Sequence, residues 1–166
     1  MKNLRSVLYH VNDRIATITL NRPRYLNAID AHMPGRKITY VNVCNLKCYV
    51  GDIRQAVNWA NNDDSVHAIV VTGAGRSFCS GYDLKQFSEK SEVGPNSINQ
   101  SMPWDPTVDF KLMKGFTDDF FSLWRSYKPT IAKVRGHCVA GGSDIALCCD
   151  MIVMADDAVI GYPPAR

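Results

Sequence analysis

Residues 128–155 read KPTIAKVRGHCVAGGSDIALCCDMIVMA, and the prediction of the fold begins from this stretch. Thr130 to Val134 is a short apolar run entered through a proline, which is typical of a buried strand. The turn from Val139 to Gly142 consists of small residues, so its backbone can approach another group closely. Ser143 to Cys149 then predicts a helix, and Met151 to Ala155 predicts a second apolar strand.

A strand, a glycine turn and a helix N-terminus together make an anion site, because N–H groups and the helix dipole point in the same direction. Ser143 is the predicted N-cap of this helix, and Asp144 lies in its first turn. A Gly-Gly pair before a helix is, however, more often a packing feature than a catalytic one.

A second stretch of the same kind favours a catalytic role for the Gly-Gly turn. Ala68 to Thr72 (AIVVT) predicts a strand that leads into the small-residue loop GAGRSFCSGYDL at residues 73–84. A short helix is predicted from Asp83 to about Phe87. Two such loops could each offer one backbone N–H to a single oxygen, which is the arrangement of an oxyanion hole.

Three motifs in order resemble the enoyl-CoA hydratase/isomerase (crotonase) family: ITLNRPRYLNAI at 18–29, SFCSGYDL at 77–84 and the whole segment 128–166. The likeness extends over residues 7–34 and 52–166. It implies an α/β fold, a spiral of strand-strand-helix units, in a single core domain spanning 1–166 that is incomplete at its C-terminus. It also implies action on acyl-CoA thioesters through a stabilised thioester enolate.

The resemblance assigns the two oxyanion donors to the backbone N–H groups of Tyr82 and Gly141. Of the two glutamates in the hydratase pattern, the first falls at Asp144, a carboxylate that is one methylene shorter. The second falls at Pro164, which cannot transfer a proton. The two-carboxylate hydratase site is therefore not intact in this sequence.

Several alternatives for proton transfer stay open at this point. Asp144 could act alone, or Asp105 or Asp109 could supply a second carboxylate. Each also has a structural interpretation, Asp144 as a first-turn acid and the other two as turn or N-cap residues.

The remaining site residues also follow from the resemblance, which places the segment after the second strand along the CoA moiety. Arg22 and Arg24 are candidate phosphate contacts there, although both could equally be solvated loop arginines. Trp104 and Asp105 are held between prolines in a more specific turn. The predicted substrate-binding residues are Ser80, Gly81, Asp83, Leu84, Gly142, Arg24, Trp104 and Asp105.

The composition is that of a globular protein, with 46% hydrophobic and 21% charged residues in 166. A net charge of +3 gives no argument for a nucleic-acid partner. The six cysteines lack paired metal-ligand spacing, so neither a metal site nor a cofactor beyond the substrate's own coenzyme A is expected. Without a signal or membrane-spanning run, we expect no membrane partner and a cytoplasmic location, with mitochondrion or peroxisome left open. The resemblance implies a homotrimer or hexamer if the C-terminal helices of the family were present.

One segment, RKITYVNVCNLKCYVG from Arg36 to Gly51, is β-rich and matches nothing in the family. Removing it joins NAIDAHMPG to DIRQAVNWANND, which has the apolar spacing of one helix. We therefore predict an insertion into the first helix. It is either an artefact, such as a retained intron, or a tolerated surface loop.

Other elements follow from periodicity. Val7–His10 and Ile15–Leu20 predict a hairpin turned at Asn12–Asp13, and Ala158–Gly161 predicts a last strand. A helix is predicted at Asp109–Tyr127. Its apolar residues are expected to be mostly core: Phe110, Met113, Phe116, Phe120, Phe121, Leu123 and Trp124.

The sequence therefore favours an enoyl-CoA hydratase or isomerase. A thioester hydrolase of the same family, or an inactive truncated product that binds CoA, is the alternative. A nucleotide-binding module built on Gly73–Gly75 is a poor fit, because no lysine follows at the P-loop position.

Overall fold

The computed structural model describes residues 1–34, 38–40, 47–49, 51–87 and 105–162. Two predicted site positions, Trp104 and Pro164, lie outside the described residues. Asp109 is described only as part of a helix backbone.

The described residues form ten strands, four α-helices and one 3₁₀ turn. The strands are β1 (Lys2–Asn3), β2 (Val7–Asn12), β3 (Ile15–Leu20), β4 (Ile38–Tyr40), β5 (Lys47–Tyr49), β6 (Ala68–Gly73), β7 (Thr130–Val134), β8 (His137–Val139), β9 (Met151–Met154) and β10 (Val159–Gly161). The helices are α1 (Asp52–Asn61), α2 (Leu84–Phe87), α3 (Pro106–Trp124) and α4 (Gly141–Leu147), with a 3₁₀ turn at Pro23–Tyr25.

Six strands form the main sheet in the order β1-β2-β3-β6-β7-β9. The first two pairings are antiparallel and the last three are parallel, with Ile18 opposite Val71 and Val71 opposite Ala132. A second, two-stranded parallel sheet joins β8 to β10. The predicted α/β class is confirmed, and the sequence missed two short strands among these pairings, β1 and β8.

Helix α1 supplies one wall of the core. Ile53, Ala56, Val57 and Ala60 recur at the i, i+3, i+4, i+7 spacing of one helix face, and all are buried. They belong to the same apolar cluster as the inward-facing sheet residue Ile18. The helix predicted from this spacing is therefore confirmed.

The β2–β3 hairpin turns one residue later than predicted. Asp13 and Arg14 occupy the turn, both with positive φ (47° and 65°). This is the pattern of a type I′ turn, whose twist matches that of the two strands it joins. The predicted turn at Asn12–Asp13 is therefore displaced, because Asn12 still pairs with Ile15.

Two backbone hydrogen bonds connect the residues on either side of the segment Arg36–Gly51. The Asp52 N–H donates to the His32 carbonyl at 3.1 Å, and the Ile53 N–H donates to the Met33 carbonyl at 3.2 Å. If residues 36–51 are skipped, each donor becomes the fourth residue after its acceptor, which is the hydrogen-bond pattern of an α-helix. The two bonds therefore have the register of one continuous helix, which supports the predicted insertion at this point.

Two helix predictions need correction. Helix α4 begins at Gly141 with Ala140 as its N-cap, so Ser143 is not the cap; its hydroxyl instead donates to the Ala140 carbonyl at 2.5 Å. Helix α3 buries Phe116, Phe120 and Leu123. The other predicted core residues on it are exposed: Phe110, Met113, Phe121 and Trp124. Periodicity identified an apolar stripe but not which part of it joins the core.

An exposed apolar face lies at the other end of the sheet, around β9, β10 and the end of α4. Its side chains are Leu147, Met151, Val153, Met154, Val159, Ile160 and Tyr162. Apolar patches of this kind often mark interaction surfaces. Among the described residues, no helix combines the length and apolar character needed to cross a bilayer.

A buried carboxylate joins α3 to α1. Asp119 is 3% exposed, lies 2.6 Å from the Arg54 Nε atom and accepts the Gly51 N–H at 3.1 Å. Burial nevertheless raises the pKa of Asp119 to about 7, although Arg54 and the Gly51 N–H act to lower it. The folded protein therefore holds this proton more tightly than the unfolded chain does.

We predict that this carboxylate makes the fold less stable as the pH rises. Between the ordinary aspartate pKa of about 4 and the folded-state pKa of about 7, the native state binds more protons than the unfolded state. The free energy of unfolding should consequently fall across this range. Urea unfolding of the parent and of Asp119→Asn at pH 5 and pH 8 measures it. Equal pH dependence in the two proteins would contradict the prediction.

We also predict that residues 36–51 can be deleted without loss of the fold. The deletion places Gly35 directly before Asp52, keeps the register of the two bonds to His32 and Met33, and removes the β4–β5 pair. A cooperative melt at or above the parent temperature is expected. Deleting only 36–49 shifts the register by two residues, and that variant should melt lower than the first.

Candidate active site

The two glycine loops lie side by side as a short parallel ladder. The Phe78 N–H donates to the Arg135 carbonyl at 2.8 Å, and the Cys79 N–H donates to the His137 carbonyl at 3.0 Å. The Val139 N–H returns to the Cys79 carbonyl at 3.0 Å. These bonds bring the loop after β6 against the loop before α4, as two motifs that are distant in sequence must meet to form one site.

Glycines allow this close approach. A Cβ at Gly142 would lie 2.5 Å from the Cys79 carbonyl oxygen, and a Cβ at Gly141 would lie 2.9 Å from the ring of Tyr82. At Gly81 the backbone has φ +90°, and a Cβ there would lie 3.0 Å from that of Ala140. Any side chain at Gly141 or Gly142 would therefore push the loops apart.

The backbone of Tyr82 is oriented by its neighbours. The Gly81 carbonyl accepts the Ile29 N–H at 2.8 Å, and the Asp83 N–H donates to the Ile29 carbonyl at 2.9 Å. In this parallel bridge the polar groups on both sides of Tyr82 point to Ile29. Since backbone groups alternate along an extended segment, the Tyr82 N–H points the other way.

Gly141 is the first residue of α4, so its N–H has no acceptor within the helix. The turn before it is unusual, because Ala140 is a non-glycine residue with φ 49° and ψ −126°. The Ala140 carbonyl accepts the Ser143 N–H at 2.8 Å, and its own N–H donates to the Gly161 carbonyl at 2.9 Å. Strained backbone held by its surroundings in this way is typical of functional sites.

Asp144 follows in the first turn of α4, where its carboxylate is exposed at the surface. Partial burial raises its pKa above the ordinary aspartate value. The nearby tyrosine responds to the same charge: burial first, and then the Asp144 carboxylate, raise the pKa of Tyr82. Asp144 and the Tyr82 side chain are therefore electrostatic neighbours, and the Tyr82 ring stacks on Phe116 at 6.4 Å between centroids.

A third loop, residues 21–30, supports the first. Asn27 is fully buried, and its amide nitrogen donates to the carbonyls of Ala74 and Ser77, both at 2.8 Å. Its amide oxygen accepts the Arg22 N–H at 2.9 Å. This side chain was not singled out from the sequence; the only signal for it was its place in the ITLNRPRYLNAI motif.

The Arg22 side chain is largely buried and not solvated. Its side chain is 13% exposed, and it pairs with Asp83 at 2.8 Å and with Asp30 at 3.3 Å. Its predicted role as a phosphate contact is therefore wrong, because both carboxylates hold the guanidinium inside. The Asp83 carboxylate is committed to the same ion pair.

The other predicted substrate contacts lie around the loops. Ser80 lies next to the 3₁₀ turn, because its N–H donates to the Leu26 carbonyl at 3.1 Å. Arg24 and Leu84 are exposed. Asp105 is the N-cap of α3 and accepts the Thr107 N–H at 2.8 Å, and hydrogen bonds to Thr107 lower its pKa. The N-cap interpretation of Asp105 is thereby confirmed.

The thiols near the site are buried. Burial raises the pKa of Cys138 to about 11 and that of Cys79 to about 12, so both are protonated at neutral pH. Protonated buried thiols are poor nucleophiles. In the part of the chain that the structure describes, no three His, Cys, Asp or Glu side chains cluster as metal ligands would.

A sequence model of the enoyl-CoA hydratase/isomerase family matches residues 10–166, which include both glycine loops and Asp144. The chain belongs to this family. An enoyl-CoA hydratase from Mycobacterium smegmatis has a similar solved structure, with a TM-score of 0.77, 40% sequence identity and coverage of 98% of this chain and 51% of its own.

Curated relatives agree with this membership. A probable enoyl-CoA hydratase of Mycobacterium tuberculosis is 27% identical over 165 residues, which is 97% of this chain and 50% of its own. A mevalonyl-coenzyme A hydratase of Beauveria bassiana is 31% identical over 152 residues, with 92% and 46% covered. The chain thus spans about half the length of the curated family members it matches.

We predict that Gly142→Ala destabilises the fold while Gly115→Ala stabilises it. Both glycines lie in helices, but a Cβ at Gly142 would meet the Cys79 carbonyl at 2.5 Å, whereas one at Gly115 meets nothing within 4 Å. We expect a loss of about 1–3 kcal/mol at Gly142 from overpacking and a gain of about 0.5–1 kcal/mol at Gly115 from helix propensity. Urea unfolding measures both; equal effects would contradict the packing argument.

Proposed function

We propose that this chain carries the oxyanion-hole half of an acyl-CoA site, at which water adds to an enoyl-CoA or its double bond is shifted. The observation that carries the proposal is the ladder between the two loops, which sets Gly81 and Tyr82 against Ala140 and Gly141. The names of the relatives support the substrate class, since they are hydratases of CoA thioesters.

The chemistry requires that the thioester oxygen carry negative charge. When water adds to the β-carbon, the electron pair of the double bond moves toward the carbonyl and forms an enolate oxygen. The N–H groups of Tyr82 and Gly141 would donate to that oxygen, and the dipole of α4 adds to the effect. Donors fixed in advance contribute about 10²–10³ in rate each.

Asp144 is the proposed proton-transfer group. Its carboxylate would accept a proton from the attacking water, and a proton must then reach the α-carbon to complete the addition. A raised pKa makes this carboxylate a stronger base than an ordinary aspartate. Its place one turn from the Gly141 N–H sets the base near the oxyanion site.

A second carboxylate receives no support from Asp105. That side chain caps α3, and its lowered pKa reflects the cap. We propose instead that Asp144 acts with water as its partner. The reaction then needs neither a metal nor a cofactor besides the coenzyme A of the substrate.

The exposed residues around the loops are proposed to contact the substrate. Arg24 belongs to the 3₁₀ turn, whose last residue, Tyr25, accepts a hydrogen bond from the Ser80 hydroxyl. Its exposed side chain offers an accessible cation for a CoA phosphate. The backbone of Gly81 and Gly142 would border the thioester. A homotrimer or hexamer is a further proposal, supported by the exposed apolar face around β9 and β10.

We predict that Asp144→Asn lowers the turnover of a short enoyl-CoA by about 10²–10⁴-fold, because the amide cannot accept the proton. Asp156→Asn is the matched control, an equally exposed aspartate in the turn after β9. Hydration is followed by the loss of the conjugated thioester absorbance. Binding of the substrate should be unchanged in both variants, since neither alters an oxyanion donor.

Two results would revise this proposal. Equal turnover in Asp144→Asn and the parent removes Asp144 from the mechanism. Binding of acyl-CoA without turnover in the parent would instead identify a CoA-binding chain, which is the alternative that Pro164 at the second catalytic position favours.

A further inference from the structure

We propose that Arg22 and Asp83 form a positioning pair that fixes the orientation of the Tyr82 N–H in the oxyanion hole. The inference rests on the proposed function. It goes beyond that function because it assigns the control of one oxyanion donor to a buried ion pair and not to a substrate contact.

The Arg22 guanidinium reaches both segments of the bridge that contains Tyr82. Its Nη2 lies 2.8 Å from the Asp83 Oδ2, and its Nη1 donates to the Ala28 carbonyl at 2.6 Å. Asp83 follows Tyr82 in the chain, and Ala28 precedes Ile29. One planar group thus ties together the two backbone segments on either side of the Ile29–Tyr82 bridge.

Those same segments set the direction of the Tyr82 N–H. The bonds from Ile29 N–H to Gly81 carbonyl (2.8 Å) and from Asp83 N–H to Ile29 carbonyl (2.9 Å) fix the peptide groups on both sides of Tyr82. If Asp83 moves, the peptide plane that it shares with Tyr82 turns and the bridge loosens. A displacement of about 1 Å in a catalytic group can cost about a hundredfold in rate.

The Arg22 guanidinium also contacts a second carboxylate, that of Asp30. Its Nε lies 3.3 Å from the Asp30 carboxylate, which also accepts the Ser6 hydroxyl at 2.7 Å and the Met33 N–H at 2.9 Å. Asp30 therefore cannot follow Arg22 if the pair with Asp83 breaks. Asp30 on one side and the Ile29–Tyr82 bridge on the other therefore fix the length and direction of the Arg22–Asp83 ion pair.

The charges explain why arginine occupies this place. Two nearly buried carboxylates, with side chains 8% and 10% exposed, face one cation whose donors lie in a rigid fork. A lysine would keep the charge, but its three donors share one nitrogen and could not span the acceptors that the arginine Nε, Nη1 and Nη2 reach. Arg22→Lys should therefore keep the fold and lose the alignment of Asp83.

The experiment uses the polarisation of a bound thioester. Cinnamoyl-CoA has a conjugated thioester whose absorbance moves to longer wavelength when donors bind its carbonyl oxygen. The parent, Asp83→Asn, Arg22→Lys and Asp52→Asn are titrated with it, and each is checked by a thermal melt. Asp52 is the matched control: it is also a buried carboxylate, and it accepts the Ser6 N–H at 2.8 Å, whereas Asp83 pairs with Arg22.

We expect the two test variants to bind cinnamoyl-CoA within about threefold of the parent but to lose most of the red shift. The value of kcat on an enoyl-CoA should fall about tenfold to hundredfold with little change in KM. Asp52→Asn should keep the full shift even if its melting temperature falls. A merely structural ion pair would lower stability alone and leave the spectrum unchanged.

The outcomes separate the two proposals. A parent that binds the probe without a red shift, or does not bind it, overturns the proposed function and this inference with it. A parent with a shift that both test variants retain overturns the positioning role alone. If both test variants fail to fold while Asp52→Asn folds, the pair is a requirement of the fold and the positioning role is again rejected.

Discussion

The structure depends on the contact between two loops that are separated by more than fifty residues of sequence. Cys79 lies against Val139 through backbone hydrogen bonds, and Gly142 leaves no room for a side chain beside it. This contact sets the end of β6 against the start of α4. Without it, the two glycine motifs would lie on separate parts of the surface, and the two proposed oxyanion donors could not act on one oxygen.

Around that contact, buried polar side chains hold the loops together and take no part in the proposed reaction. Asn27 fastens the third loop to the first, and Arg22 joins Asp83 to Asp30. Buried polar groups of this kind are costly unless every partner is present, so they specify one arrangement of the loops. Of the residues that the sequence suggests for a ligand site, some are exposed at the surface, such as Arg24. Others, such as Arg22 and Asp83, pair with each other inside the protein.

The predicted insertion at residues 36–51 bears on how much added chain such a framework tolerates. The hydrogen bonds from Asp52 to His32 and from Ile53 to Met33 keep the register of one helix on either side of it. The core residues of α1 remain buried. Loop length has only a weak effect on closure entropy, so an insertion at one point of a helix terminus leaves the site and the sheet untouched.

The sequence by itself determined the order and type of most elements, because apolar periodicity and glycine turns are local signals. It predicted β3, β6, β7, α1 and the family, which are confirmed, whereas the two oxyanion donors and the boundaries of the insertion stay predictions. It misplaced the cap of α4, since the strained turn at Ala140 depends on the hydrogen bond to Gly161. It also misread Arg22, since only tertiary structure shows that two carboxylates enclose its guanidinium. Local patterns specify elements; which polar groups face inward is decided by the packing of distant segments against one another.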